Sequence, residues 1–320
     1  MSLDNLDHTK KNKKVGIIGI PLGYGAGQKG SELGVTALRL PDTDGNLLIN
    51  RIAKLGFEVK DYGDVEIVKP NYVAGDEVNP KYLSEWLASY KNISQDIGKI
   101  LHDESFPIIL GGDHSVALGT ISAVSSFYRA QEKEIGLIWL DAHADINTHE
   151  TSPSGNIHGM PLAAILGLGE PSLVNLEGFS PKINSNYCAH IGARDLDEGE
   201  KRRIWELGMR PNFFTMYDID RRGMLACVED AIKIVSQAPG GYAVTFDIDM
   251  IDPRFAPGSG TLVRGGTTYR EAHLALELIA EDGGMCSFEI VEVNPLLDKS
   301  NITVVLAGEL ILSALGKTIL

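Results

Sequence analysis

Apolar, β-branched runs of strand length recur along the chain at 15–20, 57–62, 107–110, 136–140, 187–191, 212–216, 242–246 and 285–291. Most of the intervals between them carry apolar residues at helical spacing, as in 82–101, 115–128, 199–207, 223–235 and 269–280. Short apolar runs of this kind suit strands that helices cover on both faces. Strand and helix alternating throughout predict a parallel sheet joined by right-handed crossovers. The expected fold class is α/β: a single-domain, three-layer αβα arrangement around a parallel sheet of about eight strands.

Three of these runs end in candidate chemistry. The run 135–140 leads directly into Asp141-Ala142-His143-Ala144-Asp145. Residues two apart share one face of an extended strand, so Asp141, His143 and Asp145 are expected to project together at or just beyond the carboxyl end of the strand. That is where open α/β sheets bind ligands. The run 242–246 leads into Asp247-Ile248-Asp249, and 107–110 leads through Gly111-Gly112 into Asp113-His114. One Asp-x-Asp after a strand is commonly a turn or a helix cap. Here three such segments each follow a strand-length run, and they supply His114, Asp141, His143, Asp145, Asp247 and Asp249 as candidate metal ligands. Such a set suits two adjacent divalent ions when water or hydroxide completes each shell. None of the six is a cysteine, so oxygen-rich octahedral chemistry favours Mn²⁺ over a tetrahedral structural Zn²⁺.

Composition narrows the picture in a few places. The 320 residues would permit two domains, but no composition break, linker or internal repeat divides them. One domain over 15–320, preceded by a flexible basic tail over 1–14, is therefore expected. The tail lacks the apolar stretch of a signal peptide. A net charge of −14 argues against a nucleic-acid partner, which would need clustered Lys and Arg. No apolar segment approaches the roughly 18 residues of a membrane span, so no membrane partner is expected. Cys188, Cys227 and Cys286 are far apart and read as small buried hydrophobes in a reducing cytoplasm. Residues Gly25 to Gly30 match G-x-G-x-x-G letter by letter, but several residues separate Gly25 from the preceding strand and no clear helix opens at Gly30. The segment reads as a flexible substrate-side loop rather than a phosphate cradle.

Gly111-Gly112-Asp113-His114-Ser115, the Asp141–Asp145 segment, and Thr245 to Pro253 with Ala256-Pro257-Gly258 closely resemble the three metal signatures of the ureohydrolase family. That family comprises dimanganese enzymes such as arginase, agmatinase and formimidoylglutamase, and the resemblance runs from about residue 15 to the C-terminus. The loop 145–161 is similar to the bacterial-type arginase pattern within it. The resemblance implies two Mn²⁺ per subunit, with Asp141 and Asp247 bridging, His114 and Asp145 completing one ion, and His143 and Asp249 the other. It implies that Asn147 and Ser154 grip the α-carboxylate of L-arginine, that Asp197 binds the α-amino group with Glu200 nearby, and that Glu292 faces the guanidinium. His158 and Asp145 would then handle protons while a hydroxide held between the ions attacks the guanidinium carbon, giving L-ornithine and urea. Thr261 belongs to the substrate side by the same likeness, although the 261–266 run departs from the usual arginase sequence and Arg264 within it reads as a solvated charge.

Two other functions stand beside this one. A ureohydrolase acting on agmatine or guanidinobutyrate would leave the neutral donors of Asn147 and Ser154 without a carboxylate. A non-catalytic metal-binding homologue is disfavoured, because all six ligands, His158 and Glu292 are intact. The resemblance further implies a homotrimer or homohexamer, with Tyr269-Arg270-Glu271 near subunit contacts.

Overall fold

The eight expected strands assemble into one sheet in which every pairing is parallel. They are β1 (Lys14–Ile20), β2 (Glu58–Asp64), β3 (Phe106–Gly111), β4 (Gly136–Leu140), β5 (Cys188–Ile191), β6 (Phe213–Phe214), β7 (Tyr242–Asp247) and β8 (Met285–Val291). The structure is a computed structural model and describes residues 14–70 and 79–319. Lys14, expected to end the basic tail, instead opens β1 and pairs with Glu58 of β2. The rest of that tail, 1–13, lies outside the described residues.

The strand order is β2-β1-β3-β8-β7-β4-β5-β6. Strands β3, β8, β7 and β4 are thus consecutive, and the carboxyl ends that carry the three candidate segments lie side by side. Side chains alternate between two apolar layers, as the period of two requires. Ile17, Ile108, Leu110, Ile138, Leu140, Val244, Phe246 and Phe288 join one layer, with helices Leu48–Ala53, Met216–Val235, Tyr269–Asp282 and Ile302–Ala314. Ile18, Ile20, Ile109, Leu137, Trp139 and Ala243 join the other, with helices Leu83–His102, Val116–Arg129 and Pro161–Ile165. This is the three-layer αβα arrangement expected. Among the described residues no helix is long and apolar enough to cross a membrane.

Two of the longer helical segments exceed the sequence reading. Met216–Val235 extends upstream of the expected 223–235, and Gly223 interrupts it with φ 80° and ψ 155°. Its start is fixed by a reciprocal cap between Thr215 and Asp218. Helix Ile302–Ala314 is apolar on nearly every side and therefore shows no amphipathic period.

The glycine-bearing loop after β1 is tied down rather than free. Asp113 N donates to Leu22 O at 2.8 Å, Gly25 N donates to Asp113 Oδ2 at 2.7 Å, and His158 N donates to Gly25 O at 3.1 Å. A Cβ on Gly112 would come within 1.9 Å of Leu22 O, so only glycine lets the two backbones approach this closely.

Candidate metal centre and active site

The ends of β3, β4 and β7 bring the six candidate ligands together. His114 Nδ1 lies 3.0 Å from Asp141 Oδ2, 3.2 Å from Asp145 Oδ2 and 3.1 Å from Asp247 Oδ2. His143 Nδ1 lies 3.2 Å from Asp249 Oδ2 and 3.5 Å from Asp141 Oδ1. Asp141 therefore presents one oxygen to each imidazole, and the donors fall into two groups that share it: His114, Asp141 and Asp145, and Asp141, His143 and Asp249.

The donor chemistry fits a pair of divalent cations. Asp141, Asp145, Asp247 and Asp249 are all buried, and among the described residues no Lys or Arg side chain forms an ion pair with any of them. Buried carboxylates at such density need compensating positive charge. Burial first, then the charge of Asp141, pushes Asp145 up to about 6. Burial and the neighbouring Asp249 and Asp141 hold Asp247 well above the usual carboxylate range. Burial would lower His114, yet the surrounding carboxylates raise it well above the ordinary imidazole value. Even with both imidazoles protonated, two positive charges would face four carboxylates.

An outer layer aims these groups. His114 Nε2 meets Thr245 Oγ1 at 2.9 Å, and the ring stacks on Trp139 with centroids 4.2 Å apart. Thr245 on Nε2 leaves Nδ1 turned toward the carboxylates. Trp139 Nε1 donates to Asp141 Oδ2 at 2.9 Å, and Thr261 Oγ1 donates to Asp249 Oδ2 at 2.8 Å. Arg194 forms no part of the cluster. Its guanidinium donates to the backbone carbonyls of Met250, Asp249 and Val263 at 3.0, 2.6 and 2.8 Å, fastening the segment after β5 to the loop after β7. Asp145 and Glu292 both adopt left-handed backbone, at φ 50° and 61°. Non-glycine residues held there commonly sit at functional sites.

A cleft opens above the cluster. His143, Asp145 and Asp247 lie at its base, and Asn147, Ser154, His158, Asp197, Glu200 and Thr261 line it. Ser152, Pro153, Gly159 and Asp195 line it too and were not singled out from sequence. Ser152 stands two residues before Ser154, and Asp195 two before Asp197, a spacing that could have marked them. Asp197 serves two ends. Its Oδ1 accepts from Glu200 N at 2.9 Å to cap helix Glu198–Glu206, while its Oδ2 accepts from Asn147 Nδ2 at 2.7 Å. Glu200 returns the cap to Asp197 N at 3.1 Å, and burial pushes its carboxyl up to about 7. Ser154 sits at the exposed rim.

Glu292 lies beside the cluster. It is buried, accepts from His114 N at 3.0 Å, and stands 3.2 Å from His158 Nδ1. A buried carboxylate here already has a protein partner, and that partner is a histidine. Burial would lower His158, but the Glu292 carboxylate carries it up to about 9. His158 itself lies in a 3₁₀ turn, Ile157–Gly159, ahead of helix Pro161–Ile165. Away from the cleft, Tyr269-Arg270-Glu271 begins a helix where Glu271 completes a capping box with Thr268 and Arg270 pairs with Glu277, and Arg264 is exposed. The three cysteines are buried and unpaired.

Comparison with known proteins gives a consistent answer. The model of the arginase family matches residues 13–316. The chain is 44% identical over 309 residues to an arginase of Bacillus subtilis (strain 168), covering 97% of this chain and all of that one. It is 37% identical over 313 residues to an arginase of Staphylococcus aureus (strain MRSA252), covering 97% and 99%. Among solved structures, the arginase of Bacillus caldovelox superposes with a TM-score of 0.88 at 40% identity, covering 96% of this chain and 99% of that one.

Proposed function

The chain belongs to the arginase family and is a hydrolase of that family, and from this premise we propose that its reaction converts L-arginine and water to L-ornithine and urea. The observation that carries the reading is the polarity of the cleft. A cation-seeking carboxylate cluster forms its base, the neutral donors Asn147 and Ser154 stand above it, and the acidic Asp197 lies beside them. Those groups complement a guanidinium below, and an α-carboxylate and an α-ammonium above.

The cofactor in this reading is two Mn²⁺ ions, which His114 and Asp145, His143 and Asp249, and the shared Asp141 and Asp247 would hold. When bound, they would acidify a water to supply a nucleophile near neutral pH and offset the charge of the tetrahedral intermediate. The protein's own groups do the rest. Asn147, Ser154 and Asp197 hold the amino-acid end, so that the guanidinium carbon sits at the base of the cleft. Glu292 keeps His158 protonated and fixes its Nδ1, leaving Nε2 to deliver a proton to the δ-nitrogen as its bond to carbon breaks. Asp145, buried at the base of the cleft, is the second proton carrier.

The buried free thiols support a reducing, cytoplasmic setting. The assembly we propose is a homotrimer or homohexamer. The direct test of the activity is to strip the protein with a chelator, reload it with Mn²⁺ and quantify urea and ornithine from L-arginine, which should appear in equal amounts.

A further inference from the structure

We infer that Thr151 determines selectivity for substrates bearing an α-carboxylate, by fixing the direction of the Asn147 amide. The inference rests on the substrate reading above and deepens it. Asn147 is buried, and its two amide ends are both committed: Thr151 Oγ1 donates to Asn147 Oδ1 at 2.8 Å, and Asn147 Nδ2 donates to Asp197 Oδ2 at 2.7 Å.

The direction of the first bond is set by the backbone. Thr148 N donates to Thr151 Oγ1 at 2.9 Å, which occupies a lone pair of the hydroxyl and leaves its proton for Asn147. The Thr148 hydroxyl lies farther away, at 3.4 Å, and competes less well. The backbone of the turn closes on itself, with Thr151 N and Ser152 N both donating to Thr148 O at 3.1 and 2.8 Å. The hydroxyl is therefore held by a rigid turn rather than by its own rotamer.

An amide flip would set Asn147 Oδ1 against the Asp197 carboxylate and turn its NH₂ away from it. With Thr151 in place, the second hydrogen of Nδ2 is the free donor of the group, and it belongs to a residue that lines the cleft. Gly199 permits this packing, since a Cβ there would stand 3.1 Å from Asp197 Oδ1 and 3.3 Å from Asn147 Oδ1. Without the Thr151 hydroxyl, Asn147 Oδ1 would lose its partner in a buried site and the amide would lose one of its two restraints. The loss falls on the carboxylate-binding end of the substrate and leaves the guanidinium end untouched.

The test compares the full-length, Mn²⁺-reloaded protein with Thr151→Val, which keeps the shape, and Thr151→Ser, which keeps the hydroxyl. Steady-state kinetics on L-arginine and agmatine are paired with calorimetric Kd values for L-ornithine and 1,4-diaminobutane. Thr151→Val should raise KM for L-arginine and Kd for L-ornithine about tenfold, the scale of one lost hydrogen bond to a charged group, with kcat and both agmatine and diaminobutane values held. Thr151→Ser should behave as the unaltered protein. Thr151→Ala makes the same comparison if the valine protein does not fold. An unaltered protein that prefers L-arginine, with Thr151→Val keeping the same preference, overturns the role of Thr151 alone. Equal impairment by Val and Ser also overturns it, since the hydroxyl is then not the cause. An unaltered protein that takes agmatine as well as L-arginine overturns the carboxylate grip itself, and the role of Thr151 with it.

Discussion

His158 Nδ1 and Glu292 Oε1 stand 3.2 Å apart at the edge of the carboxylate cluster, and the same Glu292 oxygen accepts the backbone N–H of His114. One carboxylate thus joins the group proposed to move protons to the segment that carries a metal-ligand candidate. Glu292 reaches both by holding a left-handed backbone immediately after β8.

This contact predicts a pH signature in the metal-free protein. His158 is raised from its ordinary 6.5 to about 9, so the ion pair's contribution to stability is fully present below 6.5 and is lost as pH rises through about 9. Glu292→Gln removes the cause of the shift. Urea unfolding of chelator-treated protein should show the gap between the unaltered and variant proteins narrowing across that window. A gap that stays constant with pH would contradict the assignment.

Thr245 predicts a second effect. Its hydroxyl is the partner of His114 Nε2, so Thr245→Val should weaken the orientation of Nδ1 without touching a ligand. Loss of such an outer partner typically weakens metal binding by about 10- to 100-fold. Competition against a chelating dye would measure it. An unchanged Mn²⁺ affinity would show that Trp139 stacking alone orients the ring.

Leu310 tests the apolar helix Ile302–Ala314. The side chain is fully buried, and Leu310→Ala should lower stability by about 2–5 kcal/mol while leaving KM for L-arginine unchanged. Chemical denaturation paired with kinetics separates the two effects.

That helix also shows where sequence patterning stops. Strand β4 is legible to the residue because a strand covered on both faces is a continuous apolar run, and β8 because its apolar residues persist on either side of Ser287 and Glu289. Ile302–Ala314 is not, since a helix buried on most sides has no polar face to mark its period. The first part of Met216–Val235 was hidden by Asp218, Asp220, Arg221 and Arg222, which read as a polar connection, and by the break at Gly223. Five of the six proposed ligands could be named from the spacing of two after β4 and β7, and His114 from the Asp-His pair that follows β3. The partnership of Glu292 with His158 could not, because it depends on β8 lying between β3 and β7, an order that only the assembled sheet reveals.

The assembly proposal has its own check. Multi-angle light scattering on the eluting protein should give three or six times the chain mass of 34.6 kDa. A monodisperse, fully active monomer would refute it.

The measurement closest to the central claim is urea release from L-arginine and, in parallel, from agmatine, with protein stripped of metal and reloaded with Mn²⁺. Turnover of L-arginine that depends on the metal, with agmatine poorer in kcat/KM by at least about 100-fold, is the predicted result, because agmatine leaves the donors of Asn147 and Ser154 unpaired. Preference for agmatine would contradict the roles of Asn147, Ser154 and Asp197. Metal loading without hydrolysis of either guanidine would contradict the reaction itself.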